Sequence, residues 1–177
     1  MDVPPVLLPR LRAVRLFLCD VDGVLTEAQV TMGGGVAETK GFHIRDGLGL
    51  RLLQGEGIRV GWVSARPSEA TRERARDLQV DYLHQASGSK VAAIEAIQAQ
   101  AGVGWGETVY MGDDVVDLGA LRRAGFAAVP SDAIREARAL AHYVCREAGG
   151  RGAVREVVEL VLKAQDRWEP LIAKFTS

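Results

Sequence analysis

The sequence predicts an α/β fold, a central parallel sheet flanked by helices, on three observations. Short apolar runs recur along the chain with the composition of strands buried on both faces. Helix-patterned segments lie between them, and that alternation implies parallel pairing with right-handed crossovers. Each run ends in polar or glycine-rich residues, so reactive side chains gather outside the carboxyl ends of the strands, where open sheets bind ligands.

The first run, Leu16 to Cys19, ends in Asp20-Val21-Asp22-Gly23. Glu27 to Phe42 then reads as a β-hairpin inserted after the first strand, with Glu27 to Met32 and Val36 to Phe42 around Gly33-Gly34-Gly35. A lone hairpin is marginal in water, so this one is expected to pair or pack against something else. A helix opens at Arg45-Asp46-Gly47 and runs to Gln54, with Leu48, Leu52 and Leu53 expected on its inner face. Gly55 and Gly57 stop it. Ile58 to Val63 is the second strand, ending at Ser64, and Pro67 is placed in the first turn of a helix reaching Leu78. The charges on that helix (Glu69, Arg72, Glu73, Arg74, Arg76, Asp77) read mostly as a solvated face.

Val80 to Leu83 is the third strand. Ser87-Gly88-Ser89-Lys90 opens a helix through Gln100, with Val91, Ile94 and Ile97 inward. Thr108 to Met111 is the fourth strand and ends in Gly112-Asp113-Asp114, before a helix carrying Val115, Val116, Leu118 and Leu121. Phe126 to Val129 is the fifth, followed by Ser131 as the cap of a helix to Leu140. His142 to Cys145 adds a short sixth strand. Gly149-Gly150-Arg151-Gly152 precedes a last helix, Ala153 to Gln165, and the tail from Asp166 is mixed. With no internal repeat and no second core, residues 1–177 are expected to form one domain.

Composition narrows the function. A formal net charge of −1 offers no basic surplus for nucleic acid. Two cysteines, Cys19 and Cys145, are too few for a disulfide framework and suit a reducing compartment. No apolar run approaches the ~18 residues of a membrane span, and Met1 to Leu11 lacks a signal-peptide pattern. A cytoplasmic protein is expected.

Asp20, Asp22, Ser64, Lys90, Asp113, Asp114 and Asp117 all fall at strand ends or helix starts on one sheet edge. Crowded carboxylates repel unless a cation neutralises them, and oxygen ligands in that number suit Mg²⁺. A nearby lysine and hydroxyl complete the usual means of stabilising a phosphoryl group in transfer. Each residue also has a bland interpretation. Asp20-x-Asp22-Gly23 could be an acidic turn, Ser64 a strand-end hydroxyl, Lys90 a surface lysine and Asp114 a helix cap. His43 and His84 read as local hydrogen-bond formers, and Cys19 as core.

The four segments in order resemble the haloacid dehalogenase superfamily. They are Asp20-x-Asp22-Gly23, Ser64 after an apolar strand, Lys90 at a helix start, and Gly112-Asp113-Asp114-x-x-Asp117. Within it the chain is similar to the small capless phosphatases of 3-deoxy-D-manno-octulosonate 8-phosphate. The matching details are Val24-Leu25-Thr26, the hairpin, Phe42-x-x-Arg45-Asp46-Gly47, Gln85 with Lys90, and Gly149 to Glu156.

The resemblance implies a Rossmann-like fold and a set of roles. Asp20 would be the nucleophile and Asp22 the general acid, then base. Mg²⁺ would be held by Asp20, the Asp22 carbonyl and Asp113, with Asp114 or Asp117 behind it. Ser64 and Lys90 would bind the phosphoryl oxygens. Arg66 and Arg74 would meet the substrate's carboxylate or hydroxyls, and Arg45, Asp46 and Arg151 are further pocket candidates. The resemblance also implies a homotetramer with shared active sites. One departure is Ala65, where the family commonly has glycine. By the same resemblance, Arg66 would favour the eight-carbon sugar over a nine-carbon, sialic-acid-type phosphate, whose phosphatases tend to carry an acidic residue there. Two rivals are a phosphoacceptor signalling domain and a non-catalytic oligomerisation module. The third strand runs into His84-Gln85 without an acceptor aspartate, against the first, and the retained carboxylates weigh against the second.

Overall fold

The structure, a computed structural model, describes residues 3–33 and 36–176. In chain order the elements are α1 (Leu8–Arg12), β1 (Leu16–Cys19), β2 (Thr31–Gly33), β3 (Val36–Thr39), α2 (Ile44–Gly55), β4 (Arg59–Ser64), α3 (Glu69–Asp77) and β5 (Tyr82–Gln85). They continue with α4 (Lys90–Ala101), β6 (Thr108–Met111), α5 (Leu118–Leu121), β7 (Phe126–Val129), α6 (Arg135–Leu140), β8 (Tyr143–Val144), α7 (Ala153–Ala164) and α8 (Trp168–Ala173). Six strands form one parallel sheet in the order β5-β4-β1-β6-β7-β8. The chain builds outward from β1 through β4 and β5, then returns to β1's other side with β6. That reversal puts a crevice at the carboxyl end of β1.

Side-chain alternation along the strands explains the two helical layers. Phe17 and Cys19 point into a core shared with α1, α2, α3, α7 and α8, through Leu11, Leu50, Leu53, Ala75, Val157, Val161 and Leu171. Leu16 and Leu18 point the other way, to Ile94 and Ile97 of α4, Leu121 of α5 and Ala137 of α6. All four β1 residues are fully buried, which is why the strand reads as an unbroken apolar run rather than an alternating one. No helix among the described residues is long and apolar enough to cross a membrane.

β2 and β3 form a separate antiparallel pair, with shorter strands than the sequence suggests. Gly34 and Gly35 of the expected turn lie outside the described residues.

Several elements depart from the sequence-based boundaries. Helix α2 buries Asp46, Gly47, Gly49, Leu50 and Leu53, and leaves Leu48 49% exposed. Leucine spacing misses this because two glycines mark the close side. A Cβ on Gly47 would lie 2.4 Å from Arg74 Nη2, and one on Gly49 would lie 3.2 Å from Arg155 Cδ. The α3 cap is Ser68, whose side chain accepts from the Thr71 N–H, so Pro67 lies before the helix rather than in its first turn. β5 starts at Tyr82 instead of Val80, because Asp81 is used in a turn where its carboxylate accepts the Val60 N–H at 2.8 Å. Residues Val115–Asp117 form a 3-10 turn and α5 is short, so Val115 and Val116 stay exposed. Ser131 does not cap α6, which starts at Arg135; Asp132 instead ties that loop to Gly149 by accepting its N–H at 3.0 Å. The tail folds as α8, with Leu171 buried and the Trp168 ring 5.2 Å from the Arg155 guanidinium carbon and 5.3 Å from Lys163 Nζ. Helix α1 has no counterpart in the sequence reading.

Leu50→Ala should lower the unfolding free energy by about 2–5 kcal/mol, and Leu48→Ala by about 0.5 kcal/mol or less. Urea denaturation of the two variants checks the assignment of the inner face, and equal losses would contradict it.

Candidate active site

The register of β1 against its neighbours sets the geometry. Cys19 is level with Trp62 on β4 and with Met111 on β6. Asp20 follows directly, donating its N–H to the Met111 carbonyl at 2.9 Å, and so emerges beside Gly112-Asp113. The loop after Asp20 approaches the Asp113 loop closely. Gly23 has φ +87°, and a Cβ there would lie 2.1 Å from Asp113 Oδ2, so only glycine permits both the turn and the approach.

Lys90, the first residue of α4 behind its cap Ser89, turns its side chain into the crevice and is buried. Its Nζ lies 2.6 Å from Asp20 Oδ2 and donates to Asp117 Oδ1 at 2.7 Å. Tyr110 Oη donates to the same Asp117 oxygen at 2.5 Å, and Asp117 Oδ2 accepts the N–H groups of Asp113 and Asp114 at 3.0 and 3.2 Å. Both oxygens of the fully buried Asp117 are therefore taken by protein donors, so it anchors the Asp113 loop and Lys90. Asp114 is exposed and accepts the Val115 N–H at 2.7 Å, closing the turn.

Burial, then the Asp117 charge, pushes the Asp20 carboxyl up from the usual range, while Lys90 pulls the other way. Burial works against the Lys90 ammonium, yet Asp117 and Asp20 outweigh it and hold its pKa above that of an ordinary lysine. Asp113 is pushed up to about 7 by burial and by Asp117, Asp20 and Asp114. Its Oδ1 is buried without a hydrogen-bond partner among the described residues. One oxygen from each of Asp20, Asp113 and Asp117 lies within 4.8 Å of the others. A buried, unpartnered carboxylate oxygen beside a second carboxylate fits a small divalent cation, which takes hard oxygen ligands.

Asp22 Oδ1 accepts from Lys40 Nζ at 2.7 Å. Lys40 lies just past β3, with its side chain fully buried and Glu38 Oε1 3.6 Å away. Glu38 pairs with both terminal nitrogens of Arg66 and accepts from Ser68 Oγ at 2.9 Å. Ser64 Oγ accepts the Arg66 N–H at 3.1 Å and donates to its carbonyl at 3.0 Å, closing the Ser64-Ala65-Arg66 turn. Asp20, Asp22, Ser64, Arg66, Asp113 and Val116 line a cavity of about 220 Å³.

The other expected substrate contacts lie elsewhere in the chain. Arg45 and Arg151 line a second cleft of about 340 Å³, and Arg151 pairs with Glu27 at 2.9 Å. Asp46 is buried and accepts the Arg155 N–H at 2.7 Å, which caps α7 from outside. Arg74 pairs with Asp77 at 2.5 Å and lies over Gly47. Sequence reasoning missed Lys40, Glu38 and Tyr110. Glu38 and Lys40 have the two-residue spacing that puts side chains on one face of a strand. Tyr110 carries a phenol into a buried strand, where it requires a partner.

No family model matches the chain. It is 37% identical over 156 residues to the 3-deoxy-D-manno-octulosonate 8-phosphate phosphatase of Yersinia pestis, covering 88% of this chain and 83% of that one. Its identity to the enzyme of the same name from Escherichia coli K12 is 34% over 154 residues, 87% and 82% of the two chains. The Moraxella catarrhalis phosphatase of that name, solved with a magnesium ion, a phosphate ion and KDO, superposes with a TM-score of 0.93 at 35% identity, over 96% and 98% of the chains. A cobalt-bound Haemophilus influenzae relative superposes with a TM-score of 0.86 at 35% identity, over 89% and 92%. On this identity and coverage, together with Asp20, Ser64 and Asp113 lining one cavity and Lys90 bonded to Asp20 behind it, the chain belongs to the 3-deoxy-D-manno-octulosonate 8-phosphate phosphatase family of the haloacid dehalogenase superfamily.

Proposed function

We propose that the chain hydrolyses 3-deoxy-D-manno-octulosonate 8-phosphate through an aspartyl-phosphate, with Mg²⁺ as its metal. The observation that carries this is the meeting of Asp20 and Asp113 at one cavity, with Lys90 bonded to Asp20 behind it and an Asp113 oxygen buried and unpartnered among the described residues. The magnesium, phosphate and KDO of the Moraxella structure support both the metal and the sugar.

Asp20 attacks phosphorus as the bond from phosphorus to the sugar oxygen breaks, and Asp22 gives the departing alkoxide its proton. Water then attacks the same phosphorus and passes a proton to Asp22, while the bond to the Asp20 oxygen opens. Lys90, held between Asp20 and Asp117, restrains the nucleophile and meets the charge gathering on the phosphoryl oxygens. Ser64 supplies a hydroxyl on the cavity wall, and Arg66 meets the substrate's carboxylate. Asp20, the Asp22 carbonyl and Asp113 would hold the ion, with Asp117 and Asp114 setting the Asp113 loop. Bound there, Mg²⁺ neutralises the carboxylates and polarises the phosphoryl group.

A cavity of about 220 Å³ is smaller than the ~300–1,000 Å³ of typical small-ligand pockets. The β2–β3 pair stands apart from the main sheet. Both support a homotetramer in which neighbouring copies complete each site. A monomer by light scattering that keeps full turnover would count against it.

Asp20→Asn should lower kcat by at least about 10⁴-fold with fold and assembly unchanged. Lys90→Met should cost about 10²–10³ in kcat. Phosphate release from a panel of eight- and nine-carbon keto-acid phosphates checks both variants and the substrate; parent-like turnover by Asp20→Asn would refute the mechanism.

Folding raises the Asp113 carboxyl from an unfolded value of about 3.9 to about 7. The unfolded chain therefore sheds that proton first, and metal-free protein loses stability as pH rises through this window. Thermal melts should show a steeper acid-to-neutral fall in the parent than in Asp113→Asn. Mg²⁺ should raise the parent's Tm more at pH 7.5 than at pH 5, and that rise should vanish in the variant.

A further inference from the structure

We infer that Lys40 is a positioning residue for Asp22, holding its carboxylate in line with the leaving sugar oxygen. The inference rests on the acid role proposed for Asp22 and adds a residue from the inserted hairpin to the machinery. A lysine side chain with no exposed surface is uncommon, because a buried ammonium needs compensating charge. Here the compensation is specific: Nζ lies 2.7 Å from Asp22 Oδ1 and 3.6 Å from Glu38 Oε1. Lys40 is the hydrogen-bond donor to the Asp22 carboxylate among the described residues, and it engages one oxygen. The other oxygen is left for proton transfer.

Glu38 fixes the lysine in turn. Two residues apart in an extended segment, the two side chains share a face. Glu38 is tied to both terminal nitrogens of Arg66 and to Ser68, the cap of α3. The end of the hairpin thus bridges the loop after β1, through Asp22, and the loop after β4, through Arg66 and Ser68. A charge-assisted bond of this kind is short and directional, so it restrains an aspartate on a loop better than solvent would. The alternative for a buried cation at this wall is direct contact with the phosphoryl group.

Leaving-group dependence separates the two roles. A sugar alkoxide departs only with a proton, whereas p-nitrophenolate departs without one. For Lys40→Met, kcat/KM should fall about 10–100-fold on the octulosonate phosphate. On p-nitrophenyl phosphate it should stay within about threefold, since no general-acid contribution is lost there. Lys40→Arg, which keeps the charge and the donor, should restore most of the sugar-phosphate rate. Light scattering confirms that each variant assembles as the parent does. Equal losses on the two esters, or no loss on either, would overturn the role. If the octulosonate assignment is wrong, the parent itself is inactive on that sugar. A failure of the Lys40 role instead shows as an unchanged alkyl-to-aryl ratio on any ester pair that the parent cleaves.

Discussion

A single buried ammonium shared by two carboxylates holds the site together. Lys90 Nζ lies within 2.7 Å of both Asp20 and Asp117, and so links the end of β1, the start of α4 and the turn after β6. Breaking a buried pair by removing one partner typically costs about 3–5 kcal/mol, because the remaining charge is stranded. Lys90 does not balance the site, however. Asp113 joins the two carboxylates it already serves. Burial first, and the neighbouring carboxylates second, raise the Asp20 and Asp113 carboxyl pKa values, and one Asp113 oxygen has no partner among the described residues. The packing that fixes the position of Asp20 therefore also leaves a place suited to a cation.

Asp117 illustrates how structural and chemical roles divide within one motif. Its oxygens are taken by Lys90, Tyr110 and two main-chain amides, so its contribution is to place the others. The same division appears across the chain. Asp46 caps α7 by accepting the Arg155 N–H, far in sequence from the helix it stabilises. Glycines do the remaining positioning: Gly23 admits Asp113, while Gly47 and Gly49 let α2 sit against Arg74 and α7.

The β2–β3 hairpin is the segment that ties the loops after β1 and β4 together. Through Glu38 and Lys40 it reaches both loops that flank the cavity. A short insertion can do this because two charged side chains are long enough to span from a strand end to neighbouring loops, and burial among opposite charges makes the contacts directional.

Local composition is enough to place the strand runs, the order of the four polar motifs and their convergence on one sheet edge. Those follow from local composition and from the rule that parallel strands present their ends together. Thr108 to Met111 and Phe126 to Val129 were legible to the residue, because buried strands demand uninterrupted apolar runs. Tertiary structure alone decided which face of α2 is buried, where Asp46, Arg45, Arg74 and Arg151 lie, and that Lys40 meets Asp22. These depend on contacts between segments distant in sequence, where a polar residue's role is set by the partner packing delivers. No local pattern encodes that partner.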